Sequence, residues 1–148
     1  MHEMKPSALD QYLAAARSTL VRLEPADAHA ATQRGAFLVD IRPEFQRRRD
    51  GEVPGAIVVE RNDLEWRLHP DSAAGIPEAA SPDVEWIVLC DEGYASSLAA
   101  AVLQALGLRR ATDVVGGLRA WRAAGLPLAP PGEVTAPRLV SEPDSLEK

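Results

Sequence analysis

Residues 86–97 read WIVLCDEGYASS: an apolar run, then the chain's only cysteine, then a short polar turn. Helical spacing of apolar residues follows at once and stops at Gly107. The pattern predicts a buried strand over 86–89, a loop that begins at Cys90 and a helix over 97–106. Because ligands bind at the carboxyl ends of strands in open α/β sheets, a thiol placed there is a candidate nucleophile.

Further strands and helices alternate along the chain. The nearly continuous apolar run 36–41 is typical of a strand covered on both faces in a parallel sheet, and 56–59 and 112–115 are shorter strand candidates. Capping, proline and glycine signals predict helices over 7–20, 25–33, 62–68 and 118–124. This alternation predicts an α/β fold, with a small, mainly parallel sheet flanked by helices on both faces and 86–89 as its central strand.

Three segments are expected. Residues 1–21 form an N-terminal helical extension, capped by Ser7 with Asp10 and packed on the domain, and 22–128 form the α/β domain. The proline-rich residues 129–148 carry charged or small side chains that bury little surface, so we expect a flexible tail. A chain of 148 residues can bury an ordinary single core without disulfides or metal.

Composition excludes several function classes. A net charge of -6 and a pI near 5.1 argue against a nucleic-acid or anionic-membrane partner. No run has the length of a membrane span, and the first six residues lack the apolar core of a signal peptide. A single cysteine cannot form an internal disulfide, so we expect a cytoplasmic protein. The three histidines are scattered without a second ligand, which predicts no metal and no cofactor.

Four motifs, in this order and spacing, resemble those of the rhodanese-like domain family, the single-domain sulfurtransferase type. They are LVDIR at 38–42, VPGAI at 53–57, CDEGYASS at 90–97 and VGGLRAW at 115–121. The resemblance covers about 22–128 and implies a parallel sheet whose active loop begins at Cys90. It also implies a two-step transfer in which the thiolate takes a sulfane sulfur from a small-molecule or protein donor. The resulting persulfide then passes that sulfur to a thiol or another nucleophile.

The cysteine loop (residues 90–96) is the candidate binding site for the persulfide. Its backbone N–H groups and the dipole of the following helix can stabilise a negatively charged sulfur. We expect Ser96 or Ser97 to cap that helix, and one of the two hydroxyls to donate to the sulfur. The residues expected to bind the persulfide are Asp91, Glu92, Gly93, Tyr94, Ala95 and Ser96.

The charge of this loop departs from the family pattern, in which a cation is common. The loop contains two negative side chains, Asp91 and Glu92, and no positive one, so it should repel an anionic donor such as thiosulfate. Arg61, just after the second strand, is the candidate substrate-binding cation, with Arg67 behind it. We therefore expect weak turnover of thiosulfate and better turnover of a neutral or protein-bound persulfide.

Other conspicuous residues have structural interpretations. A charged pair at a strand end commonly ties loops together, so Asp40 and Arg42 are expected to be structural. The run Arg47–Arg49 is expected to be a solvated face, and Tyr94 either lines the site or covers the loop. The residues expected in the core are Trp66, Trp86 and Trp121.

Two alternatives to sulfur transfer remain open. Phosphatase or arsenate reductase chemistry also uses a cysteine loop, but it needs an arginine at the end of that loop, and the first arginine after Cys90 is Arg109. The other alternative is a non-catalytic binding or regulatory module that retains the fold. The donor, the acceptor and the oligomeric state are not specified by the sequence.

Overall fold

The computed structural model describes residues 5–130 and the backbone of 138–139. The strands are β1 (Phe37–Asp40), β2 (Ile57–Val58), β3 (Trp86–Leu89), β4 (Thr112–Asp113) and β5 (Arg138–Leu139). They form one sheet in the order β4-β3-β1-β2-β5, and every pairing within it is parallel. The predicted α/β architecture is confirmed, with one correction: the middle strand is β1, and β3 lies beside it.

Within residues 5–130, six helices connect and cover the strands. They are α1 (Ala8–Arg17), α2 (Pro25–Gln33), α3 (Glu44–Asp50), α4 (Leu64–Leu68), α5 (Ala95–Ala105) and α6 (Gly117–Ala123), with a 3-10 turn over Arg61–Asp63. The predicted capping box at the start of α1 is present, since the Asp10 N–H donates to Ser7 Oγ at 2.9 Å. Helix α3 was not predicted, because its seven residues contain one apolar side chain, the exposed Phe45, and therefore show no apolar periodicity.

The core has two halves, one on each face of the sheet. Successive residues of a strand point to opposite faces. Val39 and Val88 pack with side chains of α4 and α5, whereas Leu38 and Ile87 pack with side chains of α2 and α6. This two-sided cover explains why β1, β2 and β3 are apolar at every position except Asp40.

Two short pairings involve residues after 128. Ala129 forms an antiparallel bridge with Glu52, and β5 pairs with β2. A short strand there covers what would otherwise be an unpaired sheet edge. The flexible tail over 129–148 stays a prediction, because most of that segment lies outside the described residues.

Two side-chain placements also differ from expectation. Trp86 and Trp121 are buried as predicted, but Trp66 is 61% exposed, because the inward positions of the five-residue α4 are taken by Leu64 and Leu68. The run Arg47–Arg49 is not uniformly solvated. Arg47 is largely buried and donates to Glu52 at 2.8 Å, so it joins α3 to the loop that follows.

No helix in the described part of the chain is long and apolar enough to cross a membrane.

Candidate active site

The thiol of Cys90 lies at the carboxyl end of β3, where it is 6% exposed. Two backbone N–H groups of the cysteine loop donate to its Sγ, that of Gly93 at 3.1 Å and that of Ser96 at 3.3 Å. The loop closes around the sulfur because Gly93 adopts a φ of +88°, and α5 starts at Ala95 with its amino end beside the thiol. These donors can stabilise negative charge on this sulfur or on a sulfur bound to it.

The loop rests on the Gly116–Gly117 turn that opens α6. A Cβ atom at Gly93 would lie 2.8 Å from the Gly116 nitrogen, and one at Gly117 would lie 2.6 Å from the Cys90 carbonyl oxygen. The Leu118 N–H donates to that same carbonyl at 2.8 Å. The last of the four sequence motifs therefore supports the loop that carries the cysteine.

Substitution of Gly93 by alanine is expected to displace this loop. Gly107→Ala is the matched control, since Gly107 has a φ of +94° and a Cβ atom there would meet nothing within 4 Å. Both variants should lose about 1–2 kcal/mol for a left-handed alanine, and Gly93→Ala at least about 1 kcal/mol more for the overlap. Urea unfolding measures this difference. We also expect iodoacetamide to alkylate Cys90 about tenfold more slowly in Gly93→Ala alone; equal alkylation in both variants would contradict the role of the tight approach.

Ser96 joins the thiol to a buried carboxylate. Its Oγ lies 3.2 Å from Cys90 Sγ and donates to Asp113 Oδ2 at 2.8 Å, while the Ser97 hydroxyl donates to the same oxygen at 2.7 Å. With its proton directed to Asp113, the Ser96 oxygen accepts from the S–H group. The predicted capping role is wrong for both serines: the N-cap is Tyr94, and both hydroxyls face β4 from within the first turn of α5.

Asp113 organises this network and was not predicted. It is fully buried in β4 and is bound by Arg22, whose Nε and Nη2 donate to its two oxygens at 2.8 and 3.2 Å. The available signal was an acidic residue within the short apolar strand 112–115. Sequence reasoning had no means to pair it with two serines and an arginine from distant segments.

The acidic side chains of the loop are compensated from outside it. Arg119 of α6 donates to Asp91 at 3.2 Å and lies 3.8 Å from Glu92, and Arg49 of α3 lies 3.9 Å from Asp91. Arg49 also binds Asp50 and holds the pKa of that carboxyl below its usual range. The cations beside Asp91 and Glu92 are therefore Arg119 and Arg49 of neighbouring helices, whereas the expected cation, Arg61, binds Glu65.

A cavity of about 380 Å³ opens in front of the thiol. Its walls come from the segments that follow β1, β2 and β3, so it lies at the carboxyl edge of the sheet. Tyr94 stands at its rim, 57% exposed. Arg61 lines the cavity, but its guanidinium is bound to Glu65 at 3.0 Å. Arg67 does not reach the site: it is buried and donates to the Ala74 carbonyl.

The Asp40–Arg42 pair supports the wall of this cavity. Both side chains are fully buried, Arg42 binds the two carboxylate oxygens, and it also donates to the Gly51 carbonyl at 2.9 Å. Such a doubly bonded pair fixes the loop after β1, in agreement with its structural interpretation. Among residues 5–130, no three His, Cys, Asp or Glu side chains are grouped as metal ligands would be.

Known proteins are similar to this chain in sequence and in fold. The rhodanese-like domain family matches residues 24–124. Thiosulfate sulfurtransferase GlpE of Pseudomonas savastanoi pv. phaseolicola is 31% identical over 102 residues, which cover 69% of this chain and 87% of that protein. The GlpE protein of Stutzerimonas stutzeri is 34% identical over 101 residues, covering 68% and 84%.

Solved structures of other proteins have a similar fold. A protein of unknown function from Rhodopseudomonas palustris, named as a possible tyrosine phosphatase, has a TM-score of 0.74 and 33% identity, covering 86% of this chain and 98% of its own. The polysulfide-sulfur transferase homodimer of Wolinella succinogenes shares the fold, with a TM-score of 0.67 and 23% identity over 84% of this chain and 88% of its own. Family match, relatives and fold lead to one conclusion: this chain belongs to the rhodanese-like domain family and is homologous to thiosulfate sulfurtransferases.

Proposed function

We propose that this protein is a rhodanese-type sulfurtransferase or persulfide carrier in which Cys90 holds the transferred sulfur. The observation that carries the proposal is the pair of backbone N–H groups directed at the Cys90 sulfur, those of Gly93 and Ser96. The accessible cavity in front of that sulfur has room for a donor molecule. Its homology to thiosulfate sulfurtransferases supports the same reaction class.

The reaction needs no cofactor for its balance. The Cys90 thiolate attacks the outer sulfur of a donor, the donor's S–S bond breaks, and the electron pair leaves with the donor's remainder as sulfite or a thiolate. Cys90 then carries a persulfide. An acceptor nucleophile attacks the outer sulfur, and Cys90 departs as a thiolate, ready for another cycle.

Ser96 has a specific part in this cycle. In the thiol state its proton lies on the Asp113 side and its oxygen faces the S–H group. When the thiolate forms, the hydroxyl can rotate and donate to the sulfur, because Asp113 keeps its bonds to Ser97 and Arg22. The serine thus supplies a third donor to the anionic state.

The donor preference depends on Arg61. Two arginines line the cavity. Arg42 is paired with buried Asp40, and the guanidinium of Arg61 lies 3.0 Å from the Glu65 carboxylate. Thiosulfate presents anionic oxygens that need a free cation, whereas a persulfide donor is engaged through its sulfur. We therefore propose that thiosulfate is a weaker donor than a neutral or protein-bound persulfide, for which glutathione persulfide is the test compound, and that the acceptor is a thiol.

Release of Arg61 is expected to improve thiosulfate turnover. We expect Glu65→Gln to raise kcat/KM for thiosulfate about three- to tenfold, and Arg61→Gln to lower it by a similar factor. The matched control is Glu44→Gln, which breaks an equivalent i,i+4 pair with Arg48 on a helix surface. Steady-state assays with thiosulfate and glutathione persulfide measure both donors. Thiosulfate turnover that equals the persulfide rate in the parent would contradict the preference.

Phosphatase chemistry is a second candidate, because the Rhodopseudomonas palustris relative carries that description. A cysteine phosphatase holds three phosphoryl oxygens with an arginine at the end of its loop. Here residues 90–96 contain no arginine, and Arg61 is held by Glu65. We expect no release of p-nitrophenol from p-nitrophenyl phosphate above the Cys90→Ser background, and release that depends on Cys90 would favour the phosphatase.

The third candidate is a binding or regulatory module without catalysis. A module of this kind needs no donors aimed at a thiol, yet the cysteine loop directs two at Cys90. We also propose a cytoplasmic location, since a single reactive thiol stays reduced there. A folded, reduced protein that takes sulfur from none of thiosulfate, a mercaptopyruvate-type donor and glutathione persulfide would favour the binding module.

A further inference from the structure

We propose that two arginines from the segment before the family domain are positioning residues of the active site. Arg17 ends α1 and Arg22 follows it, and both precede residue 24, where the family match begins. They bind the cysteine loop, and neither of them lines the cavity in front of the thiol. The consequence for catalysis rests on the proposed sulfur transfer, whereas the positioning of the loop does not.

Both guanidinium groups converge on one backbone carbonyl, that of Gly93. Arg17 Nη2 donates to the Gly93 oxygen at 2.6 Å and Arg22 Nη2 donates to it at 3.1 Å. Each arginine also donates hydrogen bonds to the network of Ser97 and Asp113. Arg17 Nε donates to Ser97 Oγ at 3.0 Å, and Arg22 binds Asp113 through two bonds. These charge-assisted bonds fix the direction of the carbonyl.

The direction of this carbonyl sets the direction of an amide in the loop. The described backbone contains no cis peptide bond, so the Gly93 C=O and the Tyr94 N–H point in opposite directions. With the carbonyl held by Arg17 and Arg22, the Tyr94 N–H is turned away from them. In the sequence this amide lies between Gly93 and Ser96, whose N–H groups donate to Cys90 Sγ. A rotated peptide would instead present an oxygen to an anionic sulfur, which is repulsive.

The same two arginines add positive charge at the Gly93 carbonyl, in addition to that of Arg119 and Arg49 beside Asp91. The cysteine loop carries no cation, and Arg17 lies over the Tyr94 ring at 5.6 Å. Positive charge behind the loop polarises its peptides towards the sulfur. The charged and titratable groups around the cysteine loop are Asp91, Glu92 and Tyr94 of the loop, Asp113 of β4, Arg49 and Arg119 beside Asp91, Arg42 and Arg61 of the cavity, and Arg17 and Arg22.

The test uses the full chain with Arg17→Gln and Arg17→Lys. Arg17 belongs to a helix without buried residues, so both variants should fold, whereas Arg22 is avoided because it also neutralises buried Asp113. Arg34→Gln, a change at an exposed arginine at the end of α2, is the matched control. The measurements are 15N order parameters of the Gly93 and Tyr94 amides, the rate of alkylation by iodoacetamide at pH 7, and kcat and KM for sulfur transfer.

For Arg17→Gln we expect lower order parameters at Gly93 and Tyr94, alkylation slower by about three- to tenfold, and a similar fall in kcat with donor KM within about twofold. Lysine keeps the charge but not the two-pronged geometry, so Arg17→Lys should recover less than half of the loss. Unchanged order parameters and alkylation in Arg17→Gln, or full rescue by lysine, would overturn the inference. Order parameters and alkylation need no sulfur donor, so a failure of the proposed reaction is seen separately, as an absence of turnover in the parent protein.

Discussion

Cys90→Ser is expected to abolish sulfur transfer, with kcat/KM falling by about 10⁴-fold or more. The chain contains no other cysteine, so no second thiol can take over the sulfur. A serine hydroxyl is not ionised near neutral pH and cannot form a persulfide. The change is small and nearly isosteric, so we expect the free energy of unfolding to change by less than about 1 kcal/mol. Steady-state transfer from glutathione persulfide, together with urea unfolding, measures both effects.

Ser96→Ala is the matched variant for this experiment. It removes the hydroxyl beside Cys90 Sγ but leaves the Gly93 and Ser96 N–H donors in place. We expect a loss of about tenfold in kcat, far smaller than that of Cys90→Ser. Residual transfer in Cys90→Ser above about 1% of the parent rate would show that another group carries the sulfur, since a true nucleophile contributes orders of magnitude more.

Asp113→Ala is expected to cause a large loss of stability, about 3–5 kcal/mol. The carboxylate is fully buried and accepts hydrogen bonds from Ser96, Ser97 and Arg22. Its removal leaves two hydroxyls without their acceptor and leaves the Arg22 guanidinium, whose side chain is 17% exposed, without its counter-charge. Urea unfolding monitored by the fluorescence of the buried tryptophans measures the loss.

Asp83→Ala is the control for Asp113→Ala. Asp83 also pairs with an arginine, Arg109, but both side chains are mostly exposed, so its loss should cost at most about 1 kcal/mol. The comparison separates a buried network from a surface ion pair. A loss below about 1 kcal/mol for Asp113→Ala would refute the view that this carboxylate holds β4, α5 and Arg22 together.

The fold was predictable wherever burial leaves a periodic or continuous apolar pattern. Strands β1 and β3 are buried on both faces and lie in nearly continuous apolar runs, and α5 shows apolar residues at helical spacing. The sequence does not predict helix α3 or strand β5, because neither contains a continuous or periodic apolar pattern. The predicted burial of Trp66 is wrong because residue type indicates burial only on average. In a short helix such as α4, burial depends on whether the residue lies on the side that faces the core.

The site was predictable where it is local and unpredictable where it is assembled over distance. The cysteine loop follows its strand directly, so Cys90 and its neighbouring amides could be proposed together. Arg17 binds Ser97 across 80 positions of the chain, and Arg119 binds Asp91 across 28. The sequence around a single charged residue on an exposed helix does not indicate which distant residue it binds. The sequence therefore indicates the negative charge of the loop but not the two arginines that balance it, Arg49 and Arg119.

Intact mass of the protein after treatment with a sulfur donor tests the central claim most directly. Parent and Cys90→Ser, both reduced and folded, are incubated with thiosulfate, a mercaptopyruvate-type donor and glutathione persulfide, and are then freed of the donor. We predict a gain of about 32 Da, one sulfur atom, in the parent alone, greatest with glutathione persulfide and reversed by a thiol acceptor. No gain with any donor, or an equal gain in Cys90→Ser, would contradict a persulfide held on Cys90.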